Sequence, residues 1–243
     1  TLFRSISGAK LMVKEGIFAD TRPDAVFGLH VMLGKSGEIA YRPGAVLASS
    51  DNLEIKVTGK QGHGGMPWQT IDPITTSAQI VNGLQTIASR KVDLTTSPAV
   101  VTIGTINGGT RANIVPETVA MTGTIRTYDE AIRDQVHRDI TTVAEKIAES
   151  AGASAEVSIS RGYDTTVNND ELTGRMLPAL ERAADSRIRR SLPVGASEDF
   201  SVYASEAPGL FVFLGVTPDG QDPTKAAPNH SPNFFVDEAA LVV

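Results

Sequence analysis

The sequence predicts an α/β protein interrupted by an α+β insert, and three observations carry that reading. Strands with strict apolar–polar alternation and two helix-period stripes fall in one central stretch, residues 51–160. The flanks, residues 1–50 and 161–243, instead contain continuous apolar strands, the pattern of a sheet covered on both faces. The third is a helix between such strands on the C-terminal side, as an α/β layer arrangement requires.

The central elements follow in order. Leu53 to Thr58 alternates with the period of a half-buried strand. Asp72-Pro73 suits a helix N-cap and first turn, and Ile74, Ala78, Val81, Leu84 and Ala88 are predicted to share the buried helical face. Ala99 to Ile106 reads as a second strand closed by Asn107-Gly108-Gly109, and Thr118 to Ile125 alternates as a third. A second helix places Ile132, Val136, Ile140, Val143 and Ile147 on one stripe, and Gly152 stands where a C-terminal stop belongs. Ala155 to Ser160 alternates as a fourth strand. The order β-α-β-β-α-β is that of a ferredoxin-like sandwich, an architecture that by itself specifies no function.

In the flanks, residues 8–16 suggest a short helix, followed by the apolar strand Ala25 to Val31. Beyond residue 161 come a helix near Leu172 to Ala184, a turn at Gly195 and the buried-type strand Leu210 to Leu214. The simplest architecture is one α/β domain, split in sequence, with the sandwich inserted between its parts.

Composition excludes several function classes. A net charge of −6, with no Lys/Arg cluster, argues against nucleic-acid binding. No apolar run reaches the length of a membrane span, and no secretory signal pattern opens the chain. With no cysteine, disulfides and thiolate metal sites within the chain are ruled out, which fits a cytoplasmic setting.

Four histidines then stand out. His30 lies inside the apolar strand; His63 sits in the loop Gln61-Gly62-His63-Gly64-Gly65-Met66-Pro67; His230 sits in the polar turn Pro228 to Asn233. Each has a plain structural alternative: a core histidine bonded to backbone, a mobile glycine turn and a turn histidine, respectively. His137, among Arg133, Asp134, Arg138 and Asp139, reads as a solvated helix residue. In Gly195 to Phe200 the acids Glu198 and Asp199 could simply favour a helix N-terminus capped by Ser197. Asn113 and Arg126 could simply face solvent. No histidine pair has the i, i+4 spacing of a helical zinc motif, so spacing alone establishes no metal site.

Taken in order, Ala25–Val31 (AVFGLHV), Gly59–Pro67 with Asp72-Pro73 (GKQGHGGMP…DP), Thr105–Pro116 (TINGGTRANIVP), Gly123–Thr127 (GTIRT), Gly195–Phe200 (GASEDF) and His230–Glu238 (HSPNFFVDE) resemble the M20 family of metallopeptidases and amidohydrolases. The resemblance is to the subgroup acting on N-acyl amino acids. It implies a partial metallohydrolase catalytic domain at 1–50 and 161–243 and a ferredoxin-like lid and dimerisation domain at 51–160. It also implies a homodimer formed through that lid, and two divalent ions (zinc, manganese, cobalt or nickel) in the complete site. By resemblance His30 and His230 are metal ligands. His63 is the lid histidine that polarises the scissile carbonyl and can reach a partner subunit's site. Asn113 and Arg126 hold the substrate, and Glu198 lines the pocket. His30 stands where several relatives have a carboxylate, which disfavours the dipeptidase subgroup.

The family also has an upstream His-x-Cys-Gly-His-Asp-x-His segment, and a Pro-Ala-Glu-Glu stretch before the Gly-Ala-Lys helix. Here Thr1 to Ser7 precede Gly8-Ala9-Lys10, and neither acid is present. The chain is therefore expected to hold too few ligands to assemble the site by itself, and to expose an unpaired sheet edge that favours self-association. The alternative reading is a non-catalytic dimerisation or ligand-binding module derived from the family.

Overall fold

The computed structural model describes residues 8–242. Thr1–Ser7, where the resemblance expects the acid pair, lie outside the described residues. In chain order the first elements are α1 (Gly8–Lys14), β1 (Val26–Lys35), β2 (Ile39–Tyr41), β3 (Gly44–Leu47), β4 (Asp51–Thr58), β5 (Gly62–His63), α2 (Pro73–Thr86), β6 (Ala99–Gly108) and β7 (Ile114–Val115). They are followed by β8 (Thr118–Thr127), α3 (Glu130–Ser150), β9 (Ser154–Arg161), β10 (Thr166–Asn168), α4 (Asp170–Ala183), β11 (Ile188–Arg190), α5 (Phe200–Glu206) and β12 (Gly209–Thr217). The chain divides into two compact units: Ser49–Asp164, and the flanking residues up to Ala48 and from Thr165.

The Ser49–Asp164 unit is an antiparallel sheet in the order β6-β8-β4-β9, packed against α2 and α3. Alternation along β4 sends Leu53, Ile55 and Val57 into a core with Ile80, Leu84, Met121, Ile125, Val136 and Ile140. Glu54 and Lys56, between them, face solvent. The Asp72 side chain accepts from Ile74 N (2.8 Å) and Thr75 N (3.3 Å), satisfying donors that a helix start leaves free. At the far end of α3, Gly152 takes a φ of +73°. Its N–H reaches Glu149 O (3.0 Å), and Ala153 N reaches Ala148 O (2.9 Å), the paired bonds of a Schellman stop.

The buried face of α2 differs from the one predicted. Pro73, Thr76, Ser77, Ile80 and Leu84 face inward, while Ile74 is 44% exposed. Two hydroxyl residues occupy that face, and Thr76 Oγ1 donates to Asp72 O (2.8 Å). Of the predicted face, Leu84 and Val81 do meet the core, while Ile74 and Ala78 are exposed, so apolarity alone placed the buried face only in part.

The second unit is built on a mixed sheet in the order β1-β12-β2-β11, with β1 parallel to β12. All nine residues of β12 are buried. Phe211 and Phe213 pack on one face with Phe200 and Val46, and Leu210, Val212 and Leu214 pack on the other with Leu172 and Ile39. The α4 helix starts at Asn169, whose side chain accepts from Leu172 N (2.8 Å). β1 departs from the fully buried strand its composition suggested: Phe27 is 57% and Leu29 55% exposed. It lies at the sheet edge, and among the described residues its one strand partner is β12.

Candidate functional site

The predicted site residues fall into two groups, one in each unit. In the unit containing β1 and β12, the site is organised around one backbone carbonyl. Val31 O lies 2.8 Å from His30 Nδ1 and 2.8 Å from Asn229 Nδ2. A carbonyl only accepts, so the proton of neutral His30 sits on Nδ1 and Nε2 keeps its lone pair. Asn229 precedes His230, so the same carbonyl holds the turn carrying the second imidazole. That turn closes with Ser231 N donating to Pro228 O (3.0 Å), and His230 adopts a φ of +70°. A residue with a β-carbon seldom occupies that region.

Glu198 sits half-buried just before α5. Burial pushes its carboxyl up; the hydrogen bond from Asp199 N opposes this, the Asp199 charge adds to it and His30 counters part of it. Ser197, the cap in the plain structural alternative, is not the N-cap residue of α5. The N-cap residue is Asp199, which makes no side-chain cap bond to α5 and instead accepts from Ala9 N (3.0 Å) at the start of α1.

In the Ser49–Asp164 unit, His63 and Asn113 come together. β5 and β7 pair His63 with Ile114, and Gly64 N donates to Asn113 O (2.8 Å). Both residues are exposed. Arg126 does not join them. It lies near the C-terminal end of β8, beside the start of β4, with Nη1 donating to Ser49 O (3.5 Å). His63 and Asn113 lie beyond the other end of β4, whose eight residues span roughly 23 Å at about 3.3 Å per residue. Burial lowers the Arg126 pKa, partly offset by the charges of Asp51 and Tyr128.

His137 corrects the solvated-helix reading. Its Nε2 lies 2.7 Å from Asp51 Oδ2, and the ring is largely covered. Asp51 also accepts from Arg133 Nε (2.9 Å), and Arg133 reaches Asp164 Oδ1 (2.7 Å) and Glu130 Oε1 (3.0 Å). Burial raises the Asp51 pKa, but Arg133, His137 and Gly162 N outweigh it and hold the carboxyl below its ordinary value. Sequence reasoning missed this cluster, although one signal was present: Arg133 continues the apolar stripe of α3 three residues before Val136. Asn229 was also missed, because its contact is made 198 residues away.

Among the described residues no three His, Cys, Asp or Glu side chains converge on a point that could hold a metal ion. The donors fit a metal in kind, with an exposed His230 and a bare Nε2 on His30, but not in number. No helix among the described residues is long and apolar enough to cross a membrane.

Comparison with known proteins identifies relatives of the chain. The family model described as Peptidase dimerisation domain matches residues 48–152. The chain is 38% identical over 238 residues to Thermostable carboxypeptidase 1 of Saccharolobus solfataricus, covering 97% of this chain and 59% of that protein. A dinuclear metal-binding peptidase of the M20 family from Bacillus subtilis superposes with a TM-score of 0.75 at 30% identity, over 97% of this chain and 58% of that one. The chain belongs to the M20 family of peptidases and amidohydrolases. Another M20 relative, N-acetylcysteine deacetylase of Bacillus subtilis, is 35% identical over 241 residues, 98% of this chain and 60% of the relative. This M20 chain thus spans about three-fifths of the length of these relatives.

Proposed function

We propose that this chain supplies the substrate-facing residues and two metal-facing imidazoles of an M20 amide hydrolase acting on N-acyl amino acids. The observation that carries the reading is the shared carbonyl of Val31, which orients His30 and anchors the turn of His230. The positive φ of His230 adds support, since strained backbone gathers where function requires it. The names of the deacetylase relatives favour a small acylated amino acid as substrate.

His30 Nε2 and His230 would hold divalent metal. When bound, such ions supply an acidified water and polarise the scissile carbonyl. His63 donates a hydrogen bond to the amide oxygen as charge develops there. Arg126, with Asn113, binds the carboxylate of the amino-acid half, and Glu198 lines the pocket beside His30.

The span between Arg126 and the pair His63–Asn113 exceeds a small acyl amino acid. This supports a composite site in a homodimer, with His63 and Asn113 from one protomer and Arg126 from its partner. The match to a peptidase dimerisation domain over 48–152 points the same way. A second reading, a dimerisation or ligand-binding module, is favoured by the lack of a three-donor cluster among the described residues.

The test uses this chain alone and a completed enzyme, in which it replaces the matching segment of the Bacillus subtilis N-acetylcysteine deacetylase. Metal content and hydrolysis of N-acetyl and N-benzoyl amino acids are measured for both. The completed enzyme is expected to show near-stoichiometric metal and chelator-sensitive hydrolysis, and the chain alone neither. Stoichiometric metal without hydrolysis of any N-acyl amino acid would contradict the enzymatic reading and favour the module.

A further inference from the structure

We infer that the backbone of the glycine turn fixes the tautomer of His63, making Gly65 a positioning residue and Nε2–H the one proton that the neutral ring presents. The inference rests on reading His63 as a hydrogen-bond donor to substrate and specifies which nitrogen donates.

The turn runs from His63 to Met66, and each of its three following amides has an acceptor. Gly64 N donates to Asn113 O (2.8 Å), Gly65 N to His63 Nδ1 (3.0 Å) and Met66 N to His63 O (2.8 Å). A backbone amide can only donate, so Nδ1 must be bare. A neutral imidazole carries one proton, which is therefore on Nε2. The ring is part of the turn rather than a free appendage. A β-carbon on Gly65 would lie 3.2 Å from both Nδ1 and Cε1 of His63, and one on Gly64 would lie 3.1 Å from Asn113 O. Both spacings are tighter than ordinary contact, so the two glycines permit the approach that the hydrogen bonds require.

His30 is set the opposite way. Its Nδ1 faces Val31 O, an acceptor, and its Nε2 is left without a proton. Backbone groups one or two residues away thus give two imidazoles of this chain opposite protonation patterns. One offers a donor, suited to a developing oxyanion, and the other offers a lone pair, suited to a Lewis acid.

Long-range proton–nitrogen NMR on the full chain with nitrogen-15-labelled histidine reads both rings at once, at a pH where they are neutral. His63→Gln and His30→Gln assign the signals. The expected spectrum gives His63 a proton-bearing Nε2 and a bare Nδ1, and His30 the reverse. Gly65→Ala, which keeps the N–H but crowds the ring, is expected to shift His63 toward averaged signals while His137 stays unchanged as a fold control. Averaged signals, or an Nδ1–H, for His63 in the unaltered chain would overturn the inference, and that spectrum decides even if the glycine variant does not fold. A fixed Nε2–H on His63 alongside unimpaired hydrolysis by His63→Ala completed enzyme would uphold the tautomer and remove the catalytic role. The two failures are thereby separate.

Discussion

Arg133→Met is expected to destabilise the Ser49–Asp164 unit by about 3–5 kcal/mol, the cost of leaving a buried charge without its partner. Arg133 and Asp51 both have fully buried side chains, so removing the guanidinium leaves the Asp51 carboxylate buried with His137 and Gly162 N as partners. Methionine fills similar volume, so the loss reports the charge and not a cavity. Thermal unfolding followed by circular dichroism checks this, with a midpoint drop on the order of 10 °C or more. Replacing both partners, Asp51→Leu with Arg133→Met, is expected to recover much of the loss, because apolar pairs of matched size tolerate burial better than a widowed charge. The pH dependence carries the same signature. The Asp51 carboxyl is held below its ordinary value of 3.8, so its stabilising share is complete above that pH and disappears as pH falls through the lower folded value. In Arg133→Met that component of acid unfolding is expected to be lost.

His63→Ala in the completed enzyme is expected to lower kcat by about 10²–10³-fold, the usual consequence of losing one oxyanion donor. The side chain is exposed, so the stability of the variant should stay within about 0.5 kcal/mol of the unaltered enzyme's. A kcat loss with little change in KM identifies an interaction made in the transition state; a KM rise alone would reduce His63 to uniform binding. His63→Gln, which can place an amide N–H near the position of Nε2, is expected to retain more activity than His63→Asn, whose amide reaches only as far as Nδ1.

Much of the Ser49–Asp164 unit was legible because its signals are local. The alternation in Leu53–Val57, the Asp72-Pro73 start and the Gly152 stop each depend on residues within one turn or strand. The buried face of α2 was legible only in part: Leu84 and Val81 were placed on it, but Thr76 and Ser77 are polar residues whose burial is settled by tertiary packing. For the same reason β1 looked like an interior strand: apolar composition does not record that Phe27 and Leu29 lie on a sheet edge. The candidate site residues were named from motifs, with His30, His63 and His230 standing out by their settings. Their hydrogen-bond partners were less accessible. The bonds from Asn229 to Val31 and from Arg133 and His137 to Asp51 join residues far apart in sequence, and periodicity marks Arg133 as buried without naming its partners. The distance between Arg126 and His63 likewise required the register of β4 against β8.

That distance leads to the most direct test of the composite site. His63→Ala and Arg126→Ala versions of the completed enzyme, each inactive alone, are to be unfolded together and refolded as a mixture. Random reassortment makes half of the dimers mixed, each with one intact site built from the unaltered halves of both protomers. Turnover is therefore expected to return to about a quarter of the unaltered enzyme's value, as two-fold symmetry dictates. If the mixture stays as inactive as its two components while mixed dimers are shown to form, then His63 and Arg126 do not serve one site from two protomers, and the composite account fails.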